Sequence, residues 1–232
     1  MHSSTQIPGG ARGSDAHVGA FFDVDNTLLP GLAIEVRFCR YLWKQGVIGW
    51  TEAAHSLWFW IRHVPPFSLH PFRQQKIYLD GKLSTEIDAR AQEFVRYEIC
   101  PRLSSHGLAK LESHRSAGHF VVLLTGSLDF LIAPLARYLN VAAVLCAKPE
   151  RNLEGYYTGR VLPPLPYGDG KRSLLESFAQ EHCLDLKACY AYGDSPGDVE
   201  TLQLVGHPLV VNPIRGMARI ARRQGWPIVR WN

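Results

Sequence analysis

The stretch FFDVDNTLL at residues 21–29 limits the fold more than any other part of the chain. Residues 18–24 read as a strand buried on both faces of a parallel sheet, because their side chains are almost all apolar. The carboxyl end of that strand carries Asp23, with Asp25 just beyond. An ionised carboxylate is costly to remove from water unless it is paired or bound to a metal. A divalent cation offsets the cost, and an oxygen-only ligand set favours Mg²⁺, which keeps water and substrate phosphate in its shell. Open α/β sheets gather ligands at the carboxyl ends of their strands. A metal and phosphate site is therefore the leading expectation, and a turn or helix cap formed by Asp23 and Asp25 is the plain alternative.

Three later segments repeat the strand-then-polar pattern. A second apolar strand at residues 119–124 runs into Thr125-Gly126-Ser127, ahead of a helical pattern at 128–138. Free N–H groups at a helix start suit a phosphate, and Gly126 lets the backbone approach it closely. An ordinary Ser/Thr cap is the alternative. Next, Gly168-Asp169-Gly170-Lys171 opens an amphipathic run at 172–178. A lysine at a helix start opposes the dipole preference, so Lys171 needs another role. Neutralising a phosphate and the aspartate that attacks it is such a role, against the alternative of a solvated surface lysine. Last, a strand at 188–192 enters Gly193-Asp194-Ser195-Pro196-Gly197-Asp198 before a helix at 199–205. Asp194 and Asp198 each have a turn or cap reading, but the four motifs recur in order, each at the end of an expected strand.

Asp23-x-Asp25-x-Thr27, Thr125, Lys171 and Gly193-Asp194 with Asp198 resemble the four ordered motifs of the haloacid dehalogenase superfamily. The phosphoserine-phosphatase-like subclass, with a cap inserted between the first and second motifs, is the closest version. The resemblance runs from about residue 18 to the C-terminus. It implies an Mg²⁺-dependent phosphatase in which Asp23 attacks phosphorus to give an aspartyl-phosphate. Asp25 would protonate the leaving oxygen and then activate water. Asp23, the backbone carbonyl of Asp25 and Asp194 would hold the metal, with Asp198 a further ligand or a group orienting them. Thr125 and the Gly126 N–H would bind phosphate oxygens, and Lys171 would balance charge. Pro30-Gly31-Leu32 stands where phosphoserine phosphatases carry an acid, and the nearest carboxylate is Glu35, so the subclass name is not carried over as a substrate.

The implied architecture is α/β, a doubly wound Rossmann-like parallel sheet with an inserted helical cap. Residues 18–32 and 111–232 form the core, 33–110 the cap and 1–17 a polar, disordered leader. Strands are expected at 142–146, 208–211 and 228–231 as well, with a small hairpin in EGYYTGRVL at 154–162. The cap segment has helical periodicity instead (Ile34, Phe38, Leu42; then Phe94, Val95, Ile99).

Five cysteines without a Cys-x-x-Cys pair fit a reducing, cytoplasmic setting. A net charge of +4 is mild, and the late arginines (Arg215, Arg219, Arg222, Arg223, Arg230) read as a solvated helix face rather than a nucleic-acid site. The cap carries Trp43, Trp50, Trp58, Phe59, Trp60, Phe67 and Phe72, with His55, Arg62, His63 and Arg73 between them. Aromatics at helical spacing are usually core, and that reading is preferred over a lid for a lipid-like leaving group or a membrane-surface contact. The expected substrate is a small-molecule or lipid-like phosphomonoester, since related proteins include phosphatases of phosphatidylglycerophosphate and histidinol phosphate. A phospho-accepting receiver-type module is the alternative, disfavoured because receivers need neither the acid at Asp25 nor a lid.

Overall fold

The computed structural model describes residues 17–50, 58 and 74–231. The expected leader lies outside these residues, apart from His17, which makes a single parallel bridge to Leu184. One sheet contains β1 (Gly19–Phe22), β2 (Phe120–Leu128), β3 (Ala143–Arg151), β4 (Tyr157–Leu162), β5 (Tyr190–Gly193), β6 (His207–Val211) and β7 (Ile228–Val229). Their order is β4-β3-β2-β1-β5-β6-β7, and every neighbouring pair is parallel except β3 with β4. The described helices are α1 (Ile34–Lys44), α2 (Ser84–Phe94), α3 (Ser105–Ser116), α4 (Asp129–Leu139), α5 (Asp169–Glu181), α6 (Val199–Leu204) and α7 (Met217–Gln224).

Strand alternation sends neighbouring side chains to opposite faces, so Phe21 and Phe22 enter different cores. Phe21, Val122, Leu124, Ala191 and Val210 pack with Leu175 and Phe178 of α5 and Met217 and Ala221 of α7. Phe22, Leu123 and Tyr192 pack with α3, α4 and the helices between β1 and β2. This is the doubly wound arrangement expected for an alternating strand–helix pattern.

Between β1 and β2 the helical stripes Ile34, Phe38, Leu42 and Ile87, Ala91, Phe94 are buried. The Phe38 ring lies 5.2 Å from that of Phe94 and 5.6 Å from that of Phe130, which ties this segment to α4. The preference for core aromatics fails where it can be checked: Trp43, Trp50 and Trp58 are 40%, 81% and 59% exposed. Trp43 lies on the side of α1 away from the buried stripe. His55, Phe59, Trp60, Arg62, His63, Phe67, Phe72 and Arg73 lie outside the described residues.

Two strands depart from their expected bounds. β2 continues through Thr125-Gly126-Ser127, and its register against β3 shifts between Leu124 and Leu128, a bulge rather than a loop. The hairpin expected within 154–162 is instead made by β3 and β4. Its turn closes on Asn152, whose Oδ1 accepts the N–H groups of Glu154 and Tyr156. Among the described residues no helix is long and apolar enough to cross a membrane. The five cysteines are free thiols.

On the Phe22 face, His114 of α3 is buried between His119 (Nδ1–Nδ1 2.9 Å) and the Tyr192 hydroxyl (2.6 Å). Burial, with His119 and Lys110 nearby, pushes the His114 imidazole down to about 4. The unfolded chain takes a proton near pH 6.5 while the folded one refuses it until about pH 4, so this site costs stability as pH falls through that window. In urea denaturation, the stability advantage of the wild type over His114→Gln is expected to shrink by about 2 kcal/mol between pH 7 and pH 4.5. A constant difference would show that His114 is not held neutral.

Candidate active site

β1 ends at Phe22, so Asp23 emerges at the carboxyl edge of the sheet, where its N–H still donates to the Tyr192 carbonyl of β5 (3.0 Å). β5 ends at Gly193, and Asp194 leaves the same edge beside it. The chain then turns through Pro196–Asp198, where the Asp198 carboxylate folds back. Its Oδ2 accepts the N–H of Asp194 (3.2 Å), the N–H of Ser195 (3.1 Å) and the Ser195 hydroxyl (3.0 Å). Gly193 makes room for this turn, since a Cβ there would come within 2.5 Å of the Asp198 Cβ.

Lys171 reaches the same point from the first turn of α5. Its Nζ donates to Asp23 Oδ1 and to Asp198 Oδ1, both at 2.6 Å, with the side chain almost wholly buried. Gly170 lets α5 begin here, because a Cβ would sit 1.8 Å from the Leu165 carbonyl oxygen. The expected alternative of a solvated surface lysine is therefore excluded. Burial alone would favour the neutral amine, but Asp198 and Asp23 overcome it and hold the ammonium above the ordinary lysine range. Burial pushes the Asp23 carboxyl up, against the pull of Lys171 and with Asp198, Asp194 and Asp25 adding to it. Asp194 is pushed up to about 6 by burial, opposed by the Asn26 amide.

One carboxylate oxygen from each of Asp23, Asp194 and Asp198 lies within 4.8 Å of the other two. Asp198 uses one oxygen on Lys171 and the other on the Asp194–Ser195 turn. Asp194 Oδ2 accepts from Asn26 Nδ2 at 3.0 Å. Among the described residues, Asp23 Oδ2 and Asp194 Oδ1 accept no hydrogen bond. Three buried carboxylates against a single ammonium leave excess negative charge, and two oxygens without donors face it. That all-oxygen donor set fits a hard divalent cation such as Mg²⁺.

Asp25 is held apart from this cluster. Its Oδ1 accepts the Ile34 N–H at the start of α1 (2.7 Å), and its Oδ2 accepts the Ser127 hydroxyl (2.7 Å). Burial raises its carboxyl, the two donors lower it, and nearby Glu35 raises it further, for a net upward shift. Ser127 in turn donates its N–H to Thr125 Oγ1 (3.2 Å), so the bulge of β2 joins Asp25 to Thr125, while Gly126 stands exposed between them. Thr125 is buried. Ser127 serves Asp25 rather than capping α4, whose N-cap Leu128 makes no side-chain cap bond. All seven expected site residues thus gather along one edge of the sheet.

The sequence reading left several supports unassigned. Asn26, in a left-handed conformation (φ 56°), donates to Asp194 Oδ2 and to the Asn212 carbonyl. Asn212 (φ 44°) donates to the Asn26 carbonyl and accepts the Trp231 N–H. An asparagine shortly after a strand, as Asn212 directly follows β6, was the available signal, since it tolerates this conformation. Glu35, one residue past Ile34, is bound by Lys76 Nζ (2.6 Å) and the Tyr78 hydroxyl (3.0 Å), a pairing no local pattern announces.

Residues 20–203 match the family of haloacid dehalogenase-like hydrolases. The chain belongs to that family. It is 30% identical over 241 residues to phosphoserine phosphatase SerB1 of Mycobacterium tuberculosis, covering 98% of this chain and 78% of that one. A protein of unknown function from Bordetella pertussis has a similar structure (TM-score 0.77, 28% identity, 92% of this chain and 98% of that one). A phosphoserine phosphatase bearing a phospho-aspartyl intermediate analogue shares the fold (TM-score 0.64, 16% identity, 94% and 95% covered). The family member described here is thus of the phosphoserine-phosphatase-like type.

Removing Lys171 would leave Asp23 and Asp198 as buried, unpaired charges. Lys171→Met is expected to lose roughly 3 kcal/mol of metal-free stability at pH 7, in line with breaking a buried ion pair. Without the ammonium the buried Asp23 carboxyl rises further, so the folded state takes up a proton as pH falls and the deficit should be smaller at pH 5. An equal deficit at both pH values in denaturant melts would mean that the lysine contributes packing rather than charge.

Proposed function

We propose that this phosphoric monoester hydrolase works through an aspartyl-phosphate on Asp23, with Mg²⁺ as its cofactor. The observation that carries the proposal is the state of Asp23, buried, fixed through one oxygen by Lys171, with no donor from the described residues on the other. A carboxylate so oriented is ready for in-line attack on phosphorus.

Lys171 orients the nucleophile and stays positive throughout, so it can also neutralise a phosphate oxygen as charge builds. Thr125 and the Gly126 N–H, at the adjoining bulge, would bind the remaining phosphate oxygens. Asp25 is the proposed general acid and base. Its raised affinity for protons supports giving one to the leaving oxygen, and the Ser127 and Ile34 donors keep its position fixed. Once deprotonated, it is placed to take a proton from the water that cleaves the acyl phosphate. Asp23, Asp194 and the Asp25 carbonyl would hold Mg²⁺, and Asp198 would orient them through Lys171 and the turn N–H groups. The ion supplies charge neutralisation at the transferring phosphoryl group.

Residues 33–110 are proposed as the cap that chooses the leaving group. Glu35 lies beside Asp25 and is already bound by Lys76 and Tyr78, so a substrate meets a paired polar cluster there. A small-metabolite or lipid-linked phosphomonoester is the substrate class this supports.

Phosphate release should require Mg²⁺ and cease with excess chelator. A panel of phosphoserine, histidinol phosphate, sugar phosphates, nucleotides and lysophosphatidate would name the class. Asp23→Asn is expected to lower kcat by roughly 10³-fold or more with an unchanged circular dichroism spectrum. Substantial turnover in that folded variant would sink the nucleophile assignment. Asp25→Asn should lose about 10²–10⁴-fold on an alkyl phosphate and clearly less in the first step with p-nitrophenyl phosphate, whose leaving group needs no acid. Equal losses on both substrates would count against the acid role.

A further inference from the structure

The outer face of α1 has no part in the site just described, and its composition is unusual. Val36, Arg40, Trp43 and Lys44 follow the i, i+4, i+7, i+8 spacing of one helical face, opposite the buried Ile34, Phe38 and Leu42. Val36 is 43% exposed and Trp43 40%, with Leu32 44% exposed just before the helix. The Trp43 ring meets Trp50 edge to face at 5.1 Å, and Trp50 is 81% exposed. Contiguous exposed apolar side chains of this size usually mark a contact surface.

The same helix borders a recess of about 190 Å³ lined by Arg37, Arg40, Lys44 and Arg102, with Glu98 as its acid. Glu98 pairs with Arg102. Arg37 is fixed by the Leu32 and Pro30 carbonyls, which are neutral and leave its charge uncancelled. Among the described residues, neither Arg40 nor Lys44 is paired with an acid. The recess is therefore a cationic pocket on the helix that also carries the exposed Trp43.

We propose that this face of α1 docks the protein on an anionic phospholipid surface, the recess taking a lipid phosphate and Trp43 and Trp50 entering the interfacial layer. Indole rings favour the boundary between headgroups and acyl chains, and lysine and arginine stems extend from apolar contacts to phosphates. Each basic residue near an anionic leaflet adds attraction. A second copy of this chain is a poorer occupant, because a two-fold contact would set the same cluster of cations against itself. The Ile34 N–H, at the start of the same helix, binds Asp25, so the docked face lies on an element that also supports the active site. The inference does not rest on the proposed catalytic roles, because binding is read without turnover.

The test is co-sedimentation of the full chain with vesicles of phosphatidylcholine, with and without phosphatidylglycerol, at low and high salt. Binding is expected only with phosphatidylglycerol, weakened by salt, and not competed by soluble glycerophosphate. Arg40→Glu with Lys44→Glu should lower the partition coefficient on the order of 30-fold. Trp43→Ala with Trp50→Ala should also weaken it. Both variants should keep wild-type circular dichroism, so that lost binding is not lost fold. Absence of binding to phosphatidylglycerol vesicles at low salt overturns the proposal, as does undiminished binding by both variants. A dimer in size-exclusion chromatography that the tryptophan variant dissolves also overturns it, in favour of self-association.

Discussion

Lys171 is the charge around which the carboxyl edge of the sheet is arranged. Asp23 comes from β1 and Asp198 from the turn after β5, and each would be expensive to bury without a cation. One ammonium at 2.6 Å from both compensates them together and links α5 to two separate strand ends. The surrounding backbone follows from this junction. Gly170 admits α5 against Leu165, Gly193 admits the Asp198 side chain, and the Asp194 and Ser195 N–H groups use the remaining Asp198 oxygen. A buried pair of this kind contributes little net stability over an apolar equivalent. What it supplies is a fixed orientation of Asp23, bought with desolvation that the rest of the fold must support.

The two carboxylates of the first motif differ in their partners, and that difference supports their separate proposed roles. Asp23 faces a cation and further carboxylates; Asp25 faces an N–H and a hydroxyl. A carboxylate next to an ammonium keeps an oriented lone pair. Burial raises both carboxyls, against the ammonium at Asp23 and against the two neutral donors at Asp25. Two carboxyls two residues apart are thereby held by unlike partners, one by a charge that orients a lone pair and the other by neutral donors that fix its position.

Much of this was legible in the sequence because it depends on local order. Apolar runs ending in Asp23 and Asp194 mark strand ends, the run before Thr125 ends at a bulge of β2, and a parallel sheet places these points side by side. The helix-start lysine was conspicuous because it opposes the local dipole rule, and its burial between two acids explains the violation. The unread part depends on distance along the chain. Ser127 looked like a cap because its partner, Asp25, is 102 residues away. Asn26 and Asn212 support one another across 186 residues, and only their position after a strand hinted at it. The tryptophans were misread for a related reason: a periodic aromatic is assigned to core by default, whereas Trp43 shares its helix face with Arg40 and Lys44.

The segment between β1 and β2 links these levels. α1 begins at the residue whose N–H binds Asp25, and Glu35 next to it carries a charge that Lys76 and Tyr78 hold in place. Any rotation or withdrawal of α1 would remove a donor from Asp25 and move Glu35 with it. Losing the Ile34 N–H raises the proton affinity of Asp25, and moving Glu35 away lowers it, so the two effects oppose each other. The Ile34 donor is the larger of the two influences, so withdrawal of α1 would raise the proton affinity of Asp25 as well as free its position. A contact on the outer face of α1 would then reach the site through the Ile34 donor that fixes Asp25.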